Sequence, residues 1–253
     1  MDFSIIFDNC LQCILDCSQS DGFIDFCKQS NCGLAYYVDG FFLTIQLTGI
    51  SLLVGLLFAI PLAVLRTSKN VLINSPIRFF VYVFRGTPLI VQMYIIYYGL
   101  GQFDWLKETI LWAFFKEAYF CALFAFTLNT CAYTVEIIRG ALDSTPFGEI
   151  EAAKSVGMSY LKRLRRIILP SALRRAFPAY GNEVIFMLHG SALASVITLL
   201  DITGAGGIIN ARFYAPYEAY ITAGVFYLAI TFTIVWSFKK VEKRIYAHLQ
   251  RAD

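Results

Sequence analysis

The sequence predicts an all-α membrane protein with five transmembrane helices and a charged cytoplasmic hairpin. Of its 253 residues, 58% are hydrophobic and 15% are charged, whereas a soluble domain carries about 25% charged residues. The apolar residues form long uncharged blocks at 41–65, 86–103, 118–135, 184–200 and 219–238. About 20 such residues cross a bilayer as a helix, and long runs without alternation exclude the strands of a membrane barrel.

These blocks divide the chain into three regions. The predicted spans lie at approximately 41–65, 80–103, 118–138, 180–200 and 219–238. They belong to a transmembrane domain of residues 40–240, which follows a Cys-rich periplasmic extension, 1–39, and precedes a basic cytoplasmic tail, 241–253.

The extension is acidic at its start, which argues against a signal peptide. Its five cysteines are expected to pack or to form disulfides on an oxidising outer side. No metal site is predicted, because the Cys10-x-x-Cys13 pair has no second pair at zinc-like spacing and no nearby His. The five residues are Cys10, Cys13, Cys17, Cys27 and Cys32. In the third span, Cys121 and Cys131 are expected to pack as small apolar residues.

Lys and Arg residues predict the orientation, because cytoplasmic loops of membrane proteins carry an excess of them. Of the 21 Lys and Arg residues, 17 fall between spans one and two, between spans three and four, or after span five. The other side carries Lys28, Lys107, Lys116 and Arg212. The N-terminus is therefore predicted outside and the C-terminus in the cytoplasm. The net charge of +3 reflects this asymmetry and gives no reason to expect nucleic-acid binding.

The cytoplasmic hairpin, residues 146–170, is predicted to be two short helices. The first begins after Ser144-Thr145-Pro146, where a hydroxyl and an early proline are typical of a helix start. Gly157 is a natural C-terminal stop. The second helix, 160–169, is predicted to begin after Ser159 and to end at Pro170.

The hairpin combines charges with small apolar residues, a pattern that favours docking to a partner in the water phase. A solvated loop that follows the positive-inside rule is the plainer alternative, but the combined spacing of Glu, Ala-Ala, Gly and Ile-Leu-Pro argues against it. Ala152, Ala153 and Val156 are expected to share one apolar side. The residues assigned to docking are Glu149, Glu151, Ala152, Ala153, Gly157, Leu169 and Pro170.

Several motifs resemble those of a known family. Glu151-Ala152-Ala153, Gly157 and Ile168-Leu169-Pro170 resemble the EAA signature of ABC importer membrane subunits. Further motifs are similar to the polar amino acid importers, and closest to the M-type membrane subunit of histidine/lysine/arginine/ornithine importers. They are Arg85-Gly86-Thr87-Pro88-Leu89, Gln92, Leu128-Asn129, Ala132-Tyr133, Glu136, Arg139-Gly140-Ala141, Asn182-Glu183-Val184-Ile185 and Met187-Leu188-His189. The resemblance covers residues 40–245.

The resemblance implies a type I ABC importer transmembrane domain in the bacterial inner membrane. It implies that the hairpin is a coupling helix in a cleft of a cytoplasmic ATPase. The expected partners are a second homologous permease subunit, two ATPase subunits, a periplasmic amino acid-binding protein and membrane lipid. No cofactor is expected in this chain, and ATP and Mg would be bound by the ATPase subunits. The residues agree, because the chain has no G-x-x-x-x-G-K-[ST] phosphate loop.

Polar and ionisable residues in or beside spans three and four are candidates for the substrate pathway, because such groups are costly in lipid. They are Glu136, Asn182, Glu183, His189, Ser191 and Asp201. His189 is followed by Gly190 and Ser191, which could loosen the helix, and broken helices near the midplane are where transporters bind substrate.

Each candidate also has a structural interpretation. Glu136 lies three residues before Arg139 and could form a local ion pair. Glu183 could contact Arg174 or Arg175 in the loop. Asp201 lies at the predicted outer end, where exposure to water has a small cost. His189 could serve packing, and the pocket could belong mainly to the second permease.

The leading function is therefore a permease subunit of an ATP-driven importer for polar, basic amino acids. An ATP-independent channel or secondary transporter is the alternative, which the odd span count and the ATPase-type loop disfavour. A membrane enzyme is a third class. It is disfavoured because no nucleophile, base and acid occur together, and His189 and His248 are the chain's two histidines.

Overall fold

The computed structural model describes residues 33–246, and this part of the chain is helical and contains no strand. The cysteines of the extension and the end of the basic tail lie outside the described residues. The helices are α1 (Gly33–Arg66), α2 (Val71–Gly86), α3 (Leu89–Tyr94), α4 (Asp104–Lys107), α5 (Trp112–Phe115), α6 (Ala118–Asp143), α7 (Phe147–Ser155), α8 (Tyr160–Arg163), α9 (Leu169–Gly190), α10 (Ile202–Phe213) and α11 (Pro216–Ile245).

Three of these helices, α1, α6 and α11, are long and apolar enough to cross a membrane unbroken. Two further candidates are bent pairs. The first joins α2 to Leu89–Gln102 at 106°, and the second joins Tyr160–Ile197 to α10 at 45°. The predicted all-α membrane fold is confirmed, and the count reaches five when each bent pair is taken as one span.

The first bend falls inside the segment predicted as a single span, 80–103. The reason is local: Thr87 is extended (φ −111°, ψ 145°), as expected for a residue before proline. The Thr87 hydroxyl and backbone N–H both donate to the Val83 carbonyl, at 2.8 and 3.1 Å, and so close the end of α2. The Gly-Thr-Pro block, where Gly86 and Pro88 fit a helix entry or a kink, therefore breaks the helix.

The prediction that Pro170 ends a helix is wrong. The chain stays helical from Tyr160 through a π-helical turn, Leu164–Ile168, into α9. In this turn the Leu169 N–H donates to the Leu164 carbonyl, five residues earlier. The widened turn directly precedes Pro170, whose missing N–H and bulky ring normally interrupt a helix. Pro170 then occupies the first turn of α9, where its missing donor is tolerated.

The chain forms two compact units, and α1, α3, α6, α9 and α11 contribute residues to both. Unit 1 contains the described residues 33–49, 93–124 and 188–232. Its Tyr37 is fully buried, donates to the Ala219 carbonyl at 2.6 Å and stacks on Phe226.

Unit 2 contains 50–92, 125–187 and the described residues 233–246, and it holds a core cluster rich in small side chains. Ala59, Ala63, Ala172 and Ala176 are members of that cluster. Small residues let membrane helices approach closely. Cys121 of unit 1 and Cys131 of unit 2 are both buried and free, in agreement with the packing role predicted for them.

Candidate functional site

The first helix of the hairpin, α7, ends in a turn that requires glycine. Gly157 has φ +74°, a conformation that costs other residues about 1–2 kcal/mol. Its N–H donates to the Lys154 carbonyl at 2.9 Å, and the Met158 N–H donates to Ala153 at 3.1 Å. These two bonds form a Schellman motif. The predicted stop at Gly157 is therefore correct.

The two faces of α7 differ in exposure. Ala153 is buried, and Ile150 packs against the core cluster of unit 2. Phe147 is 82% exposed and Val156 74% exposed. Glu151 and Ala152 are also exposed, and Glu149 is half-buried. The prediction that Ala152, Ala153 and Val156 share one apolar side is wrong, because the helical turn directs Ala153 inward and the other two outward.

Of the other residues assigned to docking, Gly157 is exposed at the end of α7, and two lie after the π-helical turn. Leu169 packs against the core cluster, and Pro170 is exposed on the continuous helix that follows the π-helical turn. We call the exposed residues Phe147, Glu151, Ala152 and Val156, on α7 and at its C-terminal end, the docking face.

Arg175 holds the base of the hairpin. Its guanidinium donates to the Ala141 carbonyl (3.1 Å) at the end of α6, to Thr145 Oγ1 (2.8 Å) in the turn before α7, and to Ser171 Oγ (2.6 Å). Ser171 in turn donates to Glu149 Oε1 at 3.5 Å. The sequence predicts a cytoplasmic charge at Arg175, a contact of Glu183 with Arg174 or Arg175, and a capping hydroxyl at 144–145. Thr145 instead accepts from Arg175, and the Ser144 hydroxyl donates back to Ala141.

A second candidate site is a cavity of about 240 Å³ in unit 2. We call it the carboxylate pocket, because Glu183 is its acidic member. Glu183 is 5% exposed, and the Thr130 hydroxyl donates to its Oε1 at 3.0 Å. The lining residues are Leu89, Asn129, Tyr133, Glu183, Phe186 and Met187.

The wall of the carboxylate pocket is fixed by two amides. Asn129 Nδ2 donates to Gln92 Oε1 (3.1 Å) and to the Phe84 carbonyl (3.2 Å). Gln92 Nε2 donates to the carbonyls of Phe84 (2.9 Å) and Thr87 (3.0 Å) and to Thr87 Oγ1 (2.8 Å). The amides thus satisfy carbonyls that the helix break leaves without intrahelical partners. They also anchor Leu89, which directly follows the break, beside the pocket.

Close approach of α1 to α6 positions Thr130. A Cβ at Gly55 would lie 2.6 Å from Thr130 Cγ2 and 3.3 Å from the Cys131 nitrogen. Glycine at this position is therefore what lets α1 pack against the helix turn that carries Thr130.

The structure does not gather the other predicted pathway residues at this pocket. Glu136 lies 3.3 Å from Arg66 Nε and 2.8 Å from Arg139 Nε, in agreement with the ion pair considered for it. Asn182 is exposed and borders a different depression, with Phe238. The contact considered between Glu183 and Arg174 or Arg175 is absent from the described hydrogen bonds and ion pairs. Arg175 is engaged at the hairpin base, and Arg85 is the arginine whose charge acts on Glu183.

His189, Ser191 and Asp201 belong to unit 1. His189 is exposed and hydrogen-bonded to Thr231 at 3.2 Å. The predicted loosening beyond it is correct, because α9 ends at Gly190 and a 3₁₀ segment, Ser191–Ile197, follows. Ser191 is buried, and its hydroxyl donates to the Leu188 carbonyl at 2.6 Å.

The expectation that Asp201 is exposed to water is wrong, because its exposure is 0%. It caps α10 by accepting from the Gly204 N–H at 2.8 Å, and it accepts from the Tyr227 hydroxyl at 3.1 Å. Both hydrogen bonds of the Asp201 carboxylate are therefore made to residues of unit 1.

The sequence is similar to a family of transport proteins and to permease subunits of amino acid and opine transport systems. Residues 51–246 match the family of binding-protein-dependent transport system inner membrane components. The nopaline transport system permease protein NocM of Agrobacterium fabrum is 48% identical over 192 residues, which are 76% of this chain and 80% of that protein. The histidine/lysine/arginine/ornithine transport system permease protein HisM of Escherichia coli K12 is 46% identical over 216 residues, which are 85% and 91% of the two chains.

Solved structures agree with this fold. A chain of an amino acid ABC transporter crystallised with histidines superposes with a TM-score of 0.75 at 31% identity, covering 89% of this chain and all of that one. A chain of the inward-facing MetNI methionine ABC transporter gives a TM-score of 0.69 at 18% identity, covering 82% of this chain and 95% of that one. The second likeness concerns the fold alone.

Proposed function

We propose that this chain, which belongs to the family of binding-protein-dependent transport system inner membrane components, is the permease subunit of an ATP-driven importer of amino acids. Its preferred cargo is polar and basic: histidine, arginine, lysine and ornithine. It crosses the inner membrane with its N-terminus outside and its C-terminus in the cytoplasm.

The carboxylate pocket is the observation that carries the choice of cargo. A carboxylate buried in an apolar chain is costly unless a cation or several donors satisfy it. Thr130 is its only hydrogen-bond donor among the described residues, and a cavity borders it. An amino acid with a cationic group can form a direct ion pair with this carboxylate, which interacts with Arg85 only at longer range. Arg85 already lies over the Tyr133 ring, at 5.0 Å from its centroid. The named relatives that transport histidine, lysine, arginine and ornithine support this choice.

The docking face supports the source of energy. Phe147 and Val156 are large apolar side chains exposed on a loop rich in charges, and such exposure indicates a contact surface. We assign this surface to a cytoplasmic ATPase subunit, which binds ATP and Mg²⁺ and leaves this chain non-catalytic. Two ATPase subunits, a second permease and a periplasmic binding protein complete the importer.

Uptake in a strain lacking this chain tests the proposal. Radiolabelled arginine should enter only when the gene is restored and ATP is available. Unlabelled lysine, ornithine and histidine should compete, and aspartate should not. Val156→Asp should abolish uptake and ATPase binding, whereas the matched control Val241→Asp, on α11 outside the hairpin, should retain both. Uptake that persists without ATP would instead indicate a channel or secondary transporter, and competition by aspartate would refute the basic cargo.

A further inference from the structure

A second cavity of unit 2, of about 390 Å³, is lined by basic groups. We call it the arginine cavity. Its polar and aromatic lining consists of Arg66, Arg78, Tyr82, Arg85, Tyr133 and Glu136. Neither the cargo pocket nor the docking face uses this cavity, although Tyr133 borders both it and the carboxylate pocket.

The charges of the arginine cavity do not balance. Glu136 is its one acidic group, and it is already shared by Arg66 and Arg139. Arg66 also donates to Asn74 Oδ1. Among the described ion pairs there is none for Arg78 or Arg85, and Arg85 lies over the Tyr133 ring at 5.0 Å. Arg78 thus faces the cavity without a carboxylate of the described chain to neutralise it, whereas Arg85 forms no direct ion pair with a described residue but interacts at longer range with the Glu183 carboxylate.

The spacing along α2 places these groups on one stripe. Arg78, Tyr82 and Arg85 follow at intervals of four and three residues, so they share one helix face. Ile77 and Val81 are buried on another face. Beside the stripe, Phe79 is 70% exposed, and Leu72 near the start of α2 is also exposed. A cationic site thus adjoins exposed apolar surface on the same helix.

We propose that the arginine cavity binds the phosphate of an anionic phospholipid. A guanidinium fork matches a phosphate geometrically and stays charged, and the Tyr82 and Arg85 side chains border the same space. A lipid is favoured over soluble phosphate because its acyl chains cover the exposed apolar surface around Phe79. Basic pockets on membrane proteins bind anionic headgroups in this way. The inference needs only a membrane location and is independent of the cargo.

Native mass spectrometry of the full-length chain tests the proposal. The purified protein is taken from detergent micelles that contain equal amounts of phosphatidylglycerol and phosphatidylcholine with identical acyl chains. The wild type should retain phosphatidylglycerol preferentially. Arg78→Gln should reduce this retention about fivefold and Arg78→Gln/Arg85→Gln more than tenfold, since each basic residue near an anionic surface contributes about fivefold.

A matched control removes two charges elsewhere: Lys239→Gln/Lys243→Gln on α11 should keep the preference. Arg78→Lys/Arg85→Lys should restore part of it. Should the double glutamine variant fail to fold, Arg78→Gln alone decides, because Arg78 is exposed and unpaired among the described residues.

Three results would overturn the lipid site. The first is equal retention in the Arg78→Gln variant and the wild type. The second is an equal loss in the Lys239→Gln/Lys243→Gln control, which would assign the preference to net charge. The third is displacement of phosphatidylglycerol by an excess of inorganic phosphate, which would assign the cavity to a soluble anion. If Arg78→Gln removes a co-purifying protein but leaves lipid retention unchanged, the arginines contact that protein and the proposal also fails.

Discussion

Asp201 and Glu183 are both buried carboxylates in an apolar chain, yet their surroundings differ. Asp201 accepts from a backbone N–H and from the Tyr227 hydroxyl, and it caps a helix. Glu183 accepts from the Thr130 hydroxyl and borders a cavity. Burial is similar at 0% and 5%, so burial alone does not separate structural from functional acids. The two kinds of acid are distinguished by the number of hydrogen-bond donors around the carboxylate and by whether a cavity lies beside it.

Among substitutions at the two carboxylates, Asp201→Ala should have the largest effect on stability. This change removes the acceptor of the Gly204 N–H and a helix cap, and it leaves the Tyr227 hydroxyl with Thr203 Oγ1, at 3.3 Å, as its remaining partner. Unfolding of the purified chain in detergent should require about 3 kcal/mol less free energy. Asp201→Asn keeps a capping oxygen and should lose less than half as much. A variant with normal stability but impaired uptake would contradict the structural role and assign Asp201 to the substrate pathway.

Glu183→Gln should have the opposite profile. Uptake of arginine should fall about 10- to 100-fold, because a hydrogen bond to a charged group contributes about 1.5–3 kcal/mol, while the free energy of unfolding changes little. The control is Asn182→Ala, which alters the neighbouring residue outside the carboxylate pocket. Unchanged kinetics in Glu183→Gln for every basic amino acid would make the two carboxylates equivalent and remove the basis for the cargo.

Gly55→Ala should disturb the pocket indirectly. The added methyl group meets Thr130 at 2.6 Å, so α1 must shift or Thr130 must leave Glu183, at a cost of about 2 kcal/mol. Uptake should fall with stability. Gly49→Ala on the same helix is the matched control, since its Cβ meets nothing within 4 Å, and alanine is favoured over glycine in a helix. Equal effects of both substitutions on uptake would contradict the close approach.

The smallest expected effects come from removing single donors. Tyr227→Phe and Thr130→Val each delete one hydroxyl and should each cost about 1 kcal/mol in unfolding free energy. Arginine uptake separates them: it should change severalfold in Thr130→Val and stay at the wild-type rate in Tyr227→Phe. If Tyr227→Phe alters uptake as strongly, the distinction between the two acids fails.

Sequence reasoning was most successful where one-dimensional signals suffice. Uncharged blocks identify apolar helices, and Gly157 ends α7 because a left-handed residue is needed there. Gly86 and Pro88 fit a helix entry or a kink, but they do not predict a bend as sharp as 106°, since hydropathy is the same on both sides of it. Sequence reasoning also misjudged Pro170, because the compensating π-helical turn depends on hydrogen bonds five residues apart.

The polar groups that shape the carboxylate pocket lay beyond sequence reasoning for a different reason. Asn129 and Gln92 are 37 residues apart, and Thr130 and Glu183 are 53 apart. Nothing in local composition pairs them. In the sequence, Gln92 and Asn129 stand out only as members of the family motifs. A polar residue in an uncharged span was the available signal, and it also marks residues such as Asn182 that face elsewhere.

The hydrogen bonds of Arg175 have a mechanical consequence. One planar group ties the end of α6, the turn before α7 and the start of α9, so the foot of the hairpin is braced in three places. A displacement of α7 would therefore move α6 and α9 together, because the same guanidinium group contacts both helices. Further along, the same two helices carry Asn129 and Glu183. The hydrogen bonds of Arg175 thus connect the hairpin to two helices that both line the carboxylate pocket.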